Sequence, residues 1–459
     1  MRLFLTTVLV FVVLGADWSH AQQLNLPIVR YRTKNGLRVV LNVDHSSPQV
    51  AVVLLFDVGS RDEVKGRTGF AHLFEHMMFQ GSANLKKGDH FRYIKKHGGT
   101  LNATTSSDRT LYYSVVPSSQ LPLALFLESD RMRSLQVTQK NLDNQRQAVK
   151  EERRQRIDNQ PYAPSFLLLS ELAFQNWAYK HSTIGSMADL DAAKLEDFRA
   201  FFRTYYSPAN CVLTLSGDFD IATAKTLIQH YFADIPGRKR PKPRPIIEPK
   251  QTAKRIQTVQ DRNARLPAFH MAWHIPPSRT RDAYPLALLG QILFGGKSSR
   301  LYRLLVKEKQ LALGLYGGPR SHRGPDLFTV FGVTRGRDVT GSTVRPLIEA
   351  EIARIAKDGV PERELQKVKN NYVSGFIFGT QKNISRAQIL AKFEAYSGNA
   401  RLLNSEIKHY LKVRVADIRR VAKTYLVDRN LTVIDVMPAP KRPTPSPPPT
   451  VAPKTKGGR

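Results

Sequence analysis

Two histidines and a glutamate in this sequence are spaced for metal-assisted hydrolysis. The stretch Gly69-Phe70-Ala71-His72-Leu73-Phe74-Glu75-His76-Met77-Met78-Phe79 reads as a short amphipathic helix carrying H-x-x-E-H. At about 100° per residue, His72 and His76 lie about 40° apart on one face, and Glu75 sits about 60° to the side of His72. Neutral imidazoles at i and i+4 are zinc ligands, and a carboxylate beside them can take a proton from the attacking water. The order of residues is the reverse of the H-E-x-x-H zincin motif. Phe70, Leu73, Phe74 and Met77 bury the helix, and buried polar side chains need partners. One Zn2+ per chain satisfies all three.

A catalytic zinc takes three protein ligands and leaves a position for water. The third is expected from the charged helix Gln145-Arg146-Gln147-Ala148-Val149-Lys150-Glu151-Glu152-Arg153-Arg154. Composition does not choose between Glu151 and Glu152. Glu152 lies three residues from Val149, closer to the apolar face, which favours it. A second pair, His270 and His274, sits in the alternating run Phe269-His270-Met271-Ala272-Trp273-His274-Ile275. In a strand four residues span about 13 Å, too far to share one metal, so both read as structural or surface residues. His90 and His97 have no ligand-like company. The one cysteine, Cys211, cannot form an internal bridge and reads as an inert thiol packed in a strand.

The elements that position these residues fall into two similar halves. With 459 residues and 41% hydrophobic content, the chain can build more than one core. Asp197, Arg199, Thr204, Tyr205 and Asn210 recur as Asp417, Arg419, Thr424, Tyr425 and Asn430, at a constant offset of 220 residues. In both places a helix ends at Tyr and an apolar strand follows. The reading is α+β: two homologous domains, each a mainly antiparallel sheet with helices packed on one face. The expected boundaries are a zinc-bearing domain over 22–235, a basic Pro-rich linker over 236–258, a homologous domain over 259–437, and a disordered Pro/Lys-rich tail over 438–459. Residues 1–21, with an apolar run from Leu3 to Leu14 and small residues at Ser19 and Ala21, read as a signal peptide. That implies an exported protein, periplasmic or secreted, and no later stretch is long enough to span a bilayer.

The net charge of +32 raises the question of nucleic acid or anionic surfaces. The charge is partly concentrated in the linker and the tail, and no aromatic-basic motif lies beside them. Nucleic acid is therefore excluded as the main partner.

The sequence resembles the pitrilysin and mitochondrial-processing-peptidase group of zinc endopeptidases over nearly the whole mature chain. The resemblance rests on Gly59-Ser60-Arg61-Asp62-Glu63, His72-Leu73-Phe74-Glu75-His76, Gly98-Gly99-Thr100-Leu101-Asn102-Ala103-Thr104-Thr105 and Val149-Lys150-Glu151-Glu152. It implies that His72, His76 and Glu152 bind zinc and that Glu75 is the general base. It also implies that Asn102 and Ala103 lie on an edge strand to which the peptide substrate adds as a further strand. Asp108 and Arg109, just beyond that strand, are expected to stabilise its turn.

Two departures from the family pattern stand out. Gln145 occupies a position where a glutamate that supports the metal ligands is frequent in the family, so the zinc's support is expected to be weaker or differently wired. Val306 and Leu313 stand where an Arg and a Tyr seven residues apart would hold the substrate carbonyl, and neither side chain can donate a hydrogen bond. Tyr316 and Arg320 are nearby but out of register. The reading is the catalytic subunit of a two-chain endopeptidase, acting on peptides or unfolded segments. A homologous subunit, or a second copy in a homodimer, would supply the Arg/Tyr pair. The alternative from another class is a non-catalytic scaffold or receptor subunit on the same fold.

Overall fold

The computed structural model describes residues 24–242 and 245–440. The span read as a signal peptide, residues 1–21, and the tail from residue 441 onward lie outside the described residues. The first sheet contains β1 (Val29–Arg32), β2 (Arg38–Val43), β3 (Gln49–Phe56), β4 (Thr100–Thr105), β5 (Thr110–Pro117) and β6 (Cys211–Gly217), in the order β1-β2-β6-β3-β5-β4. The second contains β7 (Arg255–Asp261), β8 (Ala268–Ile275), β9 (Ala312–Pro319), β10 (Asp326–Thr334) and β11 (Leu431–Pro438), in the order β7-β11-β8-β10-β9. Without β1 the two orders are the same. The one parallel pairing in each sheet, β2 with β6 and β7 with β11, falls at the same place.

The sequence repeat has a structural meaning. Asn210 Nδ2 donates to the Tyr205 carbonyl at 3.0 Å and Asn430 Nδ2 to the Tyr425 carbonyl at 2.8 Å, pinning each helix end to the strand that follows. Asp197 and Asp417 accept the backbone N–H of Lys194 and Arg414 at the starts of the same two helices. Thr204 and Thr424 each donate to the carbonyl four residues back.

Each sheet buries both faces. On one face Val50, Val52, Leu54 and Phe56 of β3 pack on helices of their own half, including Phe70–Met77 and Leu195–Tyr205. On the opposite face Ala51, Val53 and Leu55 meet Ala387, Leu390 and Ala391 of the helix Asn383–Ser397, which belongs to the second half. The second sheet is covered reciprocally: Ala268, Ala272, Ile434 and Val436 pack on Leu169 and Ala173 of Ala163–Ala173, a helix of the first half. Helices of the same half cover one face, as expected, and an exchanged helix covers the other. Burial on both faces is why residues 50–58 read as an almost unbroken apolar run.

Two stretches differ from their sequence reading. β7 begins at Arg255, inside the span 236–258 read as linker; the Pro/Lys/Arg-rich lead-in hides a strand whose side chains alternate between half-buried and exposed. Residues 298–311, whose sequence has the pattern of one helix, form a short turn at Arg300–Tyr302 and a π-helical segment at Arg303–Glu308. The strand β9 that follows contains Gly314, Gly317 and Gly318, which weaken its sequence signal.

Candidate metal centre

The helix Phe70–Met77 starts at Gly69, whose φ of +84° places it in the left-handed region. A side chain there is blocked, since a Cβ would lie 2.7 Å from the Ile184 carbonyl oxygen. The helix start is held by Glu63, whose carboxylate accepts the N–H of Gly69 at 3.0 Å and of Ala71 at 2.8 Å. A carboxylate satisfies helix N-terminal donors and suits the positive end of the helix dipole. Glu63 is itself held: its carboxylate meets His181 Nε2 at 3.0 Å, and its carbonyl accepts from Trp177 Nε1 at 3.0 Å. Burial pulls the His181 imidazole down, but its bonds to Glu63 and the Trp177 carbonyl outweigh this and raise it. His181 and Trp177 lie over a hundred residues from Glu63 in sequence, so no local spacing marks them as supports of this helix.

The structure brings His72, His76 and Glu152 together, with one ligand atom from each within 4.8 Å of the others. Glu152 Oε2 lies 3.3 Å from His76 Nε2 and 3.7 Å from His72 Nε2. Its other oxygen is engaged by Arg156 at 2.7 Å, from the π-helical segment that ends the Glu152 helix. That contact leaves Oε2 to face the histidines. Glu151 points away, paired with Arg154 and Gln155 at the surface. Ligands about 2.0–2.1 Å from a tetrahedral zinc lie about 3.3 Å from one another, so the donor set and its spacing fit that ion. Burial, with a further push from His76, lowers His72 to about 4, keeping it neutral as a ligand requires. The hydrogen bond to His76 is the main cause holding Glu152 below the ordinary carboxylate range.

Glu75 is 9% exposed, and its Oε2 accepts from Thr105 Oγ1 at 2.5 Å. Burial raises its pKa; the Thr105 bond and His76 offset only part of this. Thr105 is the last residue of β4, so this bond fastens the helix to the sheet edge. Among the described residues β4 has β5 as its only partner strand, and its other backbone edge pairs with no strand. Asn102 and Ala103 lie on it: Ala103 is buried, Asn102 is exposed, and Asn102 Oδ1 accepts the Ala103 N–H at 2.8 Å. Gln145 makes no hydrogen bond to His72, whose buried Nδ1 has no partner.

Asp108 does more than steady its turn. Its carboxylate accepts from Arg61 at 3.0 Å, from the Tyr179 hydroxyl at 2.7 Å and from the Arg323 N–H of the second half at 2.9 Å. Asp57 meets Arg61 at 2.9 Å, Arg323 at 2.8 Å and also Arg240. Val306 is half-buried against the second core, and Leu313 is exposed on β9. Arg320 is committed to Ser170 Oγ at 2.9 Å. His270 is a core residue bonded to Ser165 Oγ at 2.7 Å, and His90 is buried beside Glu128, both structural as expected. Cys211 is fully buried, and burial pushes its thiol well up.

Residues 38–186 match the family described as Insulinase (Peptidase family M16), and residues 192–372 match Peptidase M16 inactive domain. The chain belongs to the M16 peptidases, the pitrilysin and mitochondrial-processing-peptidase family. It is 29% identical over 440 residues to the zinc protease PqqE of Helicobacter pylori, an alignment covering 95% of this chain and 98% of that one. The crystal structure of a protease from Helicobacter pylori matches it with a TM-score of 0.86 at 28% identity, covering 90% of this chain and 100% of that one. The periplasmic protease PqqL from Escherichia coli shares the fold with a TM-score of 0.71 at 20% identity, and the match covers 90% of this chain but 48% of that one.

Proposed function

We propose that this chain is a zinc metalloendopeptidase and the catalytic subunit of a two-chain enzyme. The observation that carries the reading is the convergence of His72, His76 and Glu152 beside a buried Glu75 that is bonded to the edge strand β4. His72 and His76 Nε2 and Glu152 Oε2 would hold the ion. Bound zinc polarises the scissile carbonyl and acidifies the attacking water. Glu75, its pKa raised by burial, takes the proton and returns it to the leaving amine. The peptide adds to β4 in extended form, and the Asn102 amide releases the Ala103 N–H as the new strand pairs with it.

Val306 and Leu313 leave the developing oxyanion without a donor from the second half, so a homologous subunit or a second copy supplies the Arg/Tyr pair. The share of PqqL that this chain spans, about half, is in keeping with an enzyme completed by another chain of this size. The N-terminal 21 residues direct export, and the periplasm is the compartment proposed. The alternative, a non-catalytic subunit, is disfavoured by the intact ligand set and base.

The test is cleavage of a quenched peptide library by the mature chain, alone and with a homologous subunit, alongside Glu75→Gln and metal analysis. Zinc near one per chain, cleavage that rises with the partner, and its loss in Glu75→Gln with zinc retained are expected. Zinc-free protein overturns the site, and zinc without cleavage under any pairing favours the scaffold.

A further inference from the structure

Because the halves share a topology, each wall of the metal centre has a counterpart in the second half. The histidine helix follows β3, as the helix Ala283–Phe294 follows β8. The Glu152 helix corresponds to Glu362–Gln381, and the edge strand β4 to the edge strand β9. Among the described residues no second metal-ligand trio occurs there. In its place is a cavity of about 420 Å³, walled by Tyr284, Tyr372, Phe376 and, from the exchanged helix, Phe393 and Tyr396. Small-molecule sites fall in the range of about 300–1,000 Å³.

Three features of the lining point to a ligand. Arg279 and Ser321 sit at φ of +65° and +66°, left-handed conformations that non-glycine residues rarely hold without a functional reason. Lys392 lines the cavity with no hydrogen bond and no ion pair among the described residues; its Nζ lies 5.8 Å from the centre of the Tyr396 ring, and Arg109, Asp108, Asp326 and Glu406 act on it only at longer range. Glu406 is 6% exposed, and its Oε2 accepts no hydrogen bond, the nearest cation being Arg279 Nη2 at 3.4 Å. Arg279 Nη1 is buried and unpartnered too. Although the guanidinium also lies over the Phe393 ring at 4.0 Å, a buried donor without an acceptor is costly, and an occupant supplying the missing acceptor removes that cost.

We propose that this cavity binds a small monoanionic carboxylate with an aromatic or branched apolar body. The carboxylate would lie against Lys392 and Arg279, and the body between Tyr284, Tyr372 and Phe376. The lining carries Arg279, Arg323 and Lys392 against Asp326 and Glu406, so its cationic side dominates. Two acids this close still disfavour a dianion such as phosphate.

The experiment titrates the full chain with N-acetyl-phenylalanine and with its uncharged amide, following heat of binding and thermal unfolding. The acid is expected to bind and raise Tm, and the amide to bind at least tenfold more weakly. Lys392→Met, which keeps the aliphatic stem, is expected to weaken acid binding tenfold or more, and Lys95→Met on the surface to leave it unchanged. Should Lys392→Met not fold, Ala287→Leu narrows the cavity with every charge intact and is expected to abolish binding. Equal binding of acid and amide, unchanged affinity in Lys392→Met or Ala287→Leu, or no binding at about 10 mM acid each overturn the proposal. Inorganic phosphate binding as well as the acid overturns the monoanion assignment.

Discussion

The two halves are built on one strand order, yet chemistry-bearing residues are gathered in only one of them. In the first, the helix after β3 carries two histidines and the helix Gln139–Arg153 presents a carboxylate to them. In the second, the equivalent walls are aromatic and enclose a cavity. Topology places the walls, and side-chain identity alone decides what they hold. The halves keep the same bond where each helix meets its strand, at Asn210 and Asn430.

The sharpest way to break the comparison is to remove the asymmetry. Glu152→Gln keeps the shape but weakens the third ligand; zinc content should fall and peptide cleavage should drop by about 10²–10⁴-fold, while the cavity in the second half is unaffected. Asp57→Asn attacks the joint between the halves. It leaves Arg61, Arg323 and Arg240 short of a buried counter-charge, and a loss of about 3–5 kcal/mol in urea unfolding is expected. The three arginines hold Asp57 below 3.8 despite the opposing effect of burial. Its contribution is therefore complete above pH 3.8 and disappears as pH falls through the folded value, so wild type and variant should converge there.

Leu169→Ala and Leu390→Ala empty equivalent places beneath the two exchanged helices. Each should cost about 2–5 kcal/mol, and in both variants calorimetry should still record one transition. Two separated transitions would show that the halves unfold independently. His270 has no counterpart in the first half. Burial holds it neutral, down to about 3, so stability should decline as pH drops from 6.5 toward 3 while the unfolded chain takes up a proton. His270→Gln should flatten that decline. Smallest, Asn210→Ala and Asn430→Ala should each cost about 1 kcal/mol and by similar amounts, since each removes the same pair of bonds.

Much of this was legible from local pattern. H-x-x-E-H brings His72, His76 and Glu75 together by helix geometry, and the offset of 220 residues exposes the duplication. Glu152 was reachable because Val149 marks the buried face of its helix. What stayed hidden depends on distant parts of the chain. Glu63 caps the ligand helix through its fold-specific approach to Gly69, and His181 and Trp177 hold Glu63 from far along the sequence. β9 was masked by its glycines and β7 by the composition leading into it. The exchange of helices could not be read at all. An apolar face shows that something covers it, not which half provides the cover.

That exchange imposes an order on biosynthesis. A chain made N-terminus first completes the strands of its first sheet by Gly217, but the helix that shields Ala51, Val53 and Leu55 ends only at Ser397. For the intervening 180 residues of synthesis an apolar sheet face stands open, the kind of surface on which nascent chains aggregate. The cell must therefore keep almost the whole polypeptide unfolded or chaperoned until its last third has emerged. A gene cut between the halves would yield two insoluble fragments rather than two small domains.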